Sequence, residues 1–221
     1  ACARSGRAAQ SVALLAVSKT QGPQAVRHAY AAGQTAFGEN YVQEALDKMR
    51  ALADLPLQWH CIGPVQSNKA RLVAAHFDWV HSVDRLKLAE RLSVCRPVHL
   101  PPLQVCLQIN IDAAPTKTGA SPEDAVALAL AVAALPHLCL RGIMTIPEPA
   151  TDFAGQHAVH QRARTVFDQI QRGLAGVRPN AAAGFDTLSM GMSADLAAAI
   201  AAGSTVVRVG TAIFGPRPAP A

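Results

Sequence analysis

Lys19 and three residues near the end of the chain carry groups that could hold an anionic carbonyl compound. Lys19 follows an apolar, strand-like run, and a lysine amine beside desolvated walls has a lowered pKa and attacks carbonyl carbons. Ser193 precedes a helical segment, and Gly210 and Thr211 follow the last strand-like run, so hydroxyls, backbone N–H groups and a helix N-terminus come together. These groups bind phosphate. The structural alternatives are a solvated lysine and a serine that only caps a helix, and the second does not account for Gly210 and Thr211.

Arg208 and Asn40 complete the candidate site. Arg208 lies between Val207 and Val209 within the last strand-like run, so it points away from both valines. A buried guanidinium keeps its charge and needs an acceptor, such as a ring nitrogen or a carboxylate. Asn40 offers a donor and an acceptor; its alternative role is a helix N-cap, with Gln43 completing a capping box. A phosphate, a flat heteroaromatic ring over the arginine and an aldehyde at the lysine together describe pyridoxal 5′-phosphate.

The adjacent His60 and Cys61 raise the question of a metal site. Neighbouring residues on a strand point to opposite faces, so these two side chains cannot bind one ion. No His-x-x-x-His spacing or carboxylate partner accompanies them. We therefore expect no metal.

Strand-like and helical runs alternate along the chain, which is typical of βα units and a parallel sheet. The predicted strands are 12–18, 35–38, 58–62, 79–82, 103–110, 138–145, 187–190 and 206–210. The predicted helices are 24–32, 41–53, 67–75, 85–93, 122–135, 153–173 and 194–201, with Ser67 as an N-cap and glycines 33, 173 and 203 at helix ends. A doubly wound sheet is the alternative, but eight strands in 221 residues favour a single-domain (β/α)8 barrel over residues 1–221. Such a barrel brings the strand-end residues to one rim.

Composition limits the partners and the compartment. The net charge is +5, but the basic residues are scattered and aromatic residues are only 5% of the chain, so nucleic-acid binding is disfavoured. No apolar stretch reaches the roughly 18 to 20 residues that cross a bilayer. The five cysteines are odd in number and lack CxxC spacing, which indicates reduced thiols and a cytoplasmic protein. Residue 1 is not Met, so we expect a further N-terminal segment, a helix, before this numbering.

The chain resembles the pyridoxal phosphate homeostasis proteins, single-domain relatives of the N-terminal barrel of alanine racemase. The resemblance covers nearly the whole chain and rests on seven blocks in the same order. These blocks are LAVSKT (15–20), FGENYVQE (37–44), HxIGxxQxNK (60–69), KTG (117–119), RGxMT (141–145), LSMGMSxD (188–195) and VRxGTAIFG (207–215). The departures are Cys61, Pro64 with Val65, and Ala194, which put only local packing in doubt.

The resemblance implies a role for each candidate residue. Lys19 would form a Schiff base with the cofactor aldehyde, and Arg208 would face the pyridine nitrogen. The phosphate would contact Ser193, Gly210 and Thr211. Asn40 would lie beside the ring, and Met192 belongs to the same set of cofactor-binding residues.

The resemblance implies a protein that holds the cofactor, limits its free concentration and delivers it to apoenzymes in vitamin B6 homeostasis. An arginine cannot readily protonate the pyridine nitrogen, so the ring is a poor electron sink. The alternative is an amino-acid racemase or lyase, for which Tyr41 is the remaining second base because Tyr30 falls mid-helix. Without the domain that forms the racemase dimer, we expect a monomer. Whether Lys69 and Lys117 transiently bind a second cofactor molecule stays open.

Overall fold

The structure, a computed structural model, describes residues 1–114 and 116–215 as eight strands connected by helices. The strands are β1 (Ala13–Val17), β2 (Ala36–Glu39), β3 (Gln58–Cys61), β4 (Trp79–Val83), β5 (Leu103–Ile109), β6 (Leu138–Thr145), β7 (Thr187–Ser189) and β8 (Val206–Val209). The α-helices are α1 (Pro23–Ala31), α2 (Val42–Ala51), α3 (Ala70–His76), α4 (Leu86–Cys95), α5 (Ala125–Val132), α6 (Phe153–Val177), α7 (Pro179–Ala183), α8 (Leu196–Ala201) and α9 (Thr211–Phe214). Short 3₁₀ helices span Cys2–Ser5, Ala9–Ser11 and Ser67–Lys69.

The eight strands form a closed parallel barrel in sequence order. β1 pairs with β8, with Leu15 opposite Arg208 and Ala16 opposite Val209, which closes the sheet. The predicted (β/α)8 barrel is therefore confirmed, and the doubly wound sheet is wrong. Every predicted strand is present with both ends within one residue of the observed bounds.

The helix ends depart further from the predictions. Helix α6 continues to Val177, so Gly173 does not end it. A Cβ atom at Gly173 would lie 2.8 Å from Cγ1 of Val126 on α5, so this glycine allows two helices to pack closely. Glycines 33 and 203 do follow helices with left-handed backbone, at φ +95° and +99°. A glycine alone does not tell a helix end from a close helix contact.

The strands alternate between the helix-facing core and the barrel interior. Trp59 and Cys61 on β3 pack in the large core between barrel and helices. Val207 and Val209 on β8 pack with Ile200 in a smaller core cluster on the same outer side. The side chains that alternate with these outward residues along each strand therefore point into the barrel interior.

The two 3₁₀ helices before β1 were missed by the sequence analysis. Arg7, between them, donates hydrogen bonds to the carbonyl oxygens of Ile200 at 3.0 Å and Ser204 at 2.6 Å. It thereby ties the N-terminal segment to the β7–β8 side of the barrel. In the part of the chain that the structure describes, no helix combines the length and apolarity needed to span a membrane.

Candidate functional site

A cavity of about 310 Å³ lies at the carboxyl ends of the strands. Its lining contains all seven predicted site residues: Lys19, Asn40, Met192, Ser193, Arg208, Gly210 and Thr211. Val17, Ile62, Ile146 and Ala194 supply the rest of the wall. Residues up to 192 positions apart in the sequence therefore meet at one site, as the barrel's geometry requires.

The backbone on both sides of Lys19 is held in place. The Ser18 N–H donates to the carbonyl oxygen of Gly38 on the neighbouring strand at 3.0 Å. The Thr20 N–H donates to a carboxylate oxygen of Glu44 at 2.6 Å, and Thr20 has the left-handed φ of 65°. A threonine in this conformation is strained, so the contact to Glu44 stabilises a turn that the local sequence disfavours.

A buried ion cluster lies behind this turn; we call Glu39, Glu44, Lys48 and Ser18 the Lys48 cluster. Lys48 Nζ lies 2.7 Å from Oε1 of Glu39 and 2.7 Å from Oε1 of Glu44, and it donates to the carbonyl oxygen of Ser18 at 2.6 Å. The Ser18 hydroxyl donates to Oε1 of Glu39 at 2.6 Å. Burial raises the pKa of Glu39, against the opposing charge of Lys48. The sequence analysis missed this cluster; the i, i+4 spacing of Glu44 and Lys48 was its only local signal.

The loop after β7 is shaped by an aspartate rather than by a serine cap. Helix α8 begins at Leu196 with Asp195 at its N-cap, so Ser193 does not cap it. One Asp195 oxygen accepts from the Met192 N–H at 2.6 Å, and the other lies 3.0 Å from Nε2 of His160. Burial opposes ionisation of Asp195, but these hydrogen bonds hold its pKa below the ordinary value. Ser193 thus lines the cavity without serving as a cap.

The alternative role of Asn40, a helix N-cap, is wrong. Helix α2 begins at Val42, and the residue at its N-cap is Tyr41, with no side-chain capping bond. A Cβ atom at Gly63 would lie 2.3 Å from the carbonyl oxygen of Asn40, so only glycine lets the β3 loop pack there. Oδ1 of Asn40 is buried and has no hydrogen-bond partner among the described residues. A buried acceptor of this kind next to a cavity is available to a ligand donor.

Ser67 does not cap either, since it begins its own 3₁₀ turn and Gln66 stands at the N-cap. In these three cases the backbone enters the helix one or two residues away from the polar residue. Capping depends on that entry angle, which the residue type alone does not determine.

Arg208 lies inside the barrel, as its alternation with the outward valines predicts. Nη1 donates to the carbonyl oxygen of Ser189 at 2.7 Å and to its hydroxyl at 2.9 Å. Nη2 donates to the carbonyl oxygen of Thr145 at 2.9 Å. Burial lowers the pKa of Arg208 to about 10, which leaves it charged at neutral pH. Its close partners are neutral oxygens, so its charge is available to an electron-rich ligand.

His60 and Cys61 point in opposite directions, as predicted. His60 contacts His81 and Gln58 inside the barrel, whereas Cys61 belongs to the outer core. Burial lowers the pKa of His60 to about 3 and raises that of Cys61 to about 12. Both side chains are therefore neutral at physiological pH.

The other residues that the sequence analysis weighed lie outside this cavity. Tyr41 is exposed and lines a neighbouring groove together with Lys69. Lys117 forms ion pairs with Asp112 and Glu148, both at 3.0 Å. Among the described residues that line the cavity, Lys19 is the only lysine.

The fold and a match to the family described as alanine racemase, N-terminal domain, over residues 3–218, define a barrel of that class. The chain is 58% identical over 212 residues to the pyridoxal phosphate homeostasis protein of Pseudomonas aeruginosa, covering 96% of this chain and 87% of the relative. It is 51% identical over 220 residues to the protein of the same name from Escherichia coli K12, covering 98% and 91%. The chain belongs to the pyridoxal phosphate homeostasis protein family.

Solved structures agree with this assignment. PipY of Synechococcus elongatus, solved with pyridoxal phosphate bound, is 41% identical with a TM-score of 0.84, covering 96% of this chain and 97% of PipY. Alanine racemase of Corynebacterium glutamicum is 18% identical with a TM-score of 0.67, covering 95% of this chain and 58% of the racemase. The second likeness shows a shared fold.

Proposed function

We propose that this protein binds pyridoxal 5′-phosphate in the cavity at the carboxyl ends of the strands and acts in vitamin B6 homeostasis. The observation that carries the proposal is the convergence of Lys19, Arg208 and the three phosphate-type residues on one cavity. PipY, 41% identical over nearly the whole chain, holds the same cofactor. The buried, unpartnered Oδ1 of Asn40 fits a ligand that brings a hydrogen-bond donor to this wall.

Different residues would bind three parts of the ligand. Lys19 supplies the amine for the aldehyde, and Arg208 supplies donors for the ring nitrogen. Ser193, Gly210 and Thr211 supply a hydroxyl and backbone N–H groups for the phosphate, and Asn40 and Met192 complete the wall. A Cβ atom at Gly210 would lie 3.2 Å from the carbonyl oxygen of Val17, so glycine keeps this edge of the cavity open.

The site favours holding the cofactor over using it. When bound, the cofactor supplies an aldehyde and a ring that can accept electrons. Arg208 keeps its proton at neutral pH, so it does not make the ring cationic. Racemisation needs an acid or base on each face of the substrate carbon. The cavity lining offers Lys19 for one face, while Tyr41 lies in the adjacent groove.

We infer that the protein delivers the cofactor to apo forms of pyridoxal phosphate enzymes, as a monomer in the cytoplasm. A reactive aldehyde held by one amine can be released to another amine by exchange. The five cysteines, all within the described residues, are free thiols, which is typical of a reducing compartment.

The test of the site is borohydride reduction of the protein loaded with pyridoxal 5′-phosphate, followed by peptide mass spectrometry. We expect the reduced adduct on Lys19 in the natural protein and in K69M, a control that removes a lysine from the neighbouring groove. K19A should lose the adduct. An adduct spread over many lysines, or one retained in K19A, would refute the proposed site.

A second measurement separates holding from catalysis. The loaded protein is incubated with a panel of amino acids in heavy water, and exchange of the α-hydrogen is followed by NMR. We expect no exchange above that of free cofactor. Exchange at a catalytic rate that K19A abolishes would establish the racemase or lyase alternative instead.

A further inference from the structure

A continuous chain of hydrogen bonds runs through the barrel interior and ends at Arg208. Nε2 of His60 lies 3.0 Å from Oε1 of Gln58, and Nδ1 of His60 lies 2.9 Å from Nε2 of His81. Nδ1 of His81 lies 3.0 Å from the Ser189 hydroxyl, which accepts from Nη1 of Arg208 at 2.9 Å. His60, His81, Ser189 and Arg208 are all buried.

This series of hydrogen bonds crosses the barrel interior from one end to the other. His81 is on β4 and Ser189 is on β7, two strands that are not neighbours, so their contact spans the interior. Gln58 is exposed and lines a cavity of about 390 Å³ at the amino ends of the strands. Arg208 lines the candidate site at the carboxyl ends.

Gln58 and the neutral state of the two rings set the direction of the hydrogen bonds in this chain. Oε1 of Gln58 only accepts, so Nε2 of His60 donates to it. Burial lowers the pKa of both rings, so His60 and His81 are neutral and each carries one hydrogen. Nδ1 of His60 therefore accepts from Nε2 of His81, and Nδ1 of His81 accepts from the Ser189 hydroxyl. The Ser189 oxygen in turn accepts from Arg208, and both imidazoles carry their hydrogen on Nε2.

We propose that His81 is a positioning residue that orients Arg208 through Ser189, an inference that rests on the proposed cofactor site. The hydroxyl and carbonyl oxygens of Ser189 take both hydrogens of Nη1, and Thr145 takes one of Nη2. These contacts fix the plane of the guanidinium. Among the described residues, Nε–H and the second hydrogen of Nη2 have no acceptor, so they are the donors left for a ligand in the cavity.

The first test needs no cofactor. Long-range ¹H–¹⁵N NMR of the ligand-free protein should show both His60 and His81 as neutral rings protonated on Nε2 from pH 8 to pH 5. The Nη signals of Arg208 should be resolved, because its contacts hinder rotation of the guanidinium. A ring protonated on Nδ1 in His81, or averaged Arg208 Nη signals, would overturn the proposal.

The second test uses variants and cofactor titration. S189A removes one acceptor from Arg208, and S204A is its matched control. Ser204 is a buried serine just before β8, and its hydroxyl donates to the carbonyl oxygen of Met190 at 2.7 Å. We expect S189A to weaken cofactor binding about tenfold and to shift the absorbance maximum of the bound cofactor. S204A should change neither, even if both variants lose similar stability.

Substitutions of His81 separate positioning from packing. In H81N an amide oxygen takes the place of Nδ1 and accepts the Ser189 hydroxyl, so affinity and spectrum should approach those of the natural protein. H81L should reproduce the loss seen in S189A and should average the Arg208 Nη signals. Equal affinities in H81L and H81N would refute the positioning role. If the natural protein itself failed to bind the cofactor, the proposed function would fall, and the ligand-free signals of Arg208 in H81L would still decide this inference.

Discussion

Lys19 and Arg208 line the same cavity, but their proposed roles need opposite protonation states. Lys19 must lose a proton to react with an aldehyde, whereas Arg208 stays charged at neutral pH despite its burial. The neutral oxygens around Arg208 orient it without cancelling its charge. The result is a positive site for a ligand that carries a phosphate and a basic ring nitrogen.

At the residue scale, the Lys48 cluster makes a specific prediction. K48M leaves Glu39 without its cation in a buried site, and breaking such a pair costs about 3–5 kcal/mol. We expect a loss of that size in the free energy of unfolding, measured by urea denaturation at pH 7. We also expect slower borohydride trapping at Lys19, because the Ser18 carbonyl and the Thr20 turn lose their support.

The control for this variant is R50M on the same helix. Arg50 pairs with Asp47, but both side chains are more than half exposed, so the pair contributes little. A loss in K48M no greater than in R50M would show that the cluster is not a stabilising element.

At the element scale, the strands determine where each site residue stands and the loops determine how it is presented. β1 and β8 are paired, so Lys19, Gly210 and Thr211 emerge side by side from adjacent strands. Asn40 follows β2, on the other side of β1. The loop after β7 brings Met192 and Ser193 to the same edge, held by the Asp195 side chain.

The contact between β6 and β7 depends on a glycine, which gives a prediction at this scale. A Cβ atom at Gly142 would lie 1.6 Å from the carbonyl oxygen of Thr187, so G142A forces the two strands apart. We expect it to destabilise the protein by about 3 kcal/mol or more. The measurement is the free energy of unfolding, with cofactor affinity as a second readout because β7 carries Ser189.

The matched control is G176A near the end of α6. A Cβ atom there meets nothing within 4 Å, and alanine favours the helix, so this variant should gain about 0.5–1 kcal/mol. Destabilisation of G176A comparable to that of G142A would contradict the steric explanation.

At the scale of the whole molecule, one closed barrel separates two environments. The space between strands and helices is apolar, whereas the interior contains the hydrogen-bond chain from Gln58 to Arg208. Closure leaves none of the eight described strands at a free sheet edge and places the candidate site at one end of that interior. The N-terminal segment packs across the side near α8.

Substitution of Arg7 tests how much this N-terminal segment contributes to the stability of the barrel. It is half-buried and donates to the carbonyl oxygens of Ile200, Ser204 and Ser11. R7A should lower the free energy of unfolding by about 1–2 kcal/mol and speed hydrogen exchange in α8. R4A, at an exposed arginine of the same segment, should leave both unchanged. Equal effects of the two variants would mean that loss of positive charge, not the hydrogen bonds, matters.

The sequence by itself determined the eight strands and the residues at their carboxyl ends, and it favoured the barrel. Strand periodicity and the breaks that end each strand are local properties, and the number and alternation of the units favour a closed barrel over a doubly wound sheet. Helix starts near Asn40, Ser67 and Ser193 were predicted less well, because a cap depends on the direction in which the backbone enters the helix.

Only the tertiary structure decided which buried polar groups meet. His81 and Ser189 are 108 residues apart in the sequence, and Lys48 reaches Glu39 and Ser18 from a different element. No periodicity marks such pairs, because burial of a charge or an imidazole is tolerated only after folding brings its partner within hydrogen-bond distance. The residues that could bind the ligand are thus readable along the chain, whereas the contacts that orient them exist only in the closed barrel.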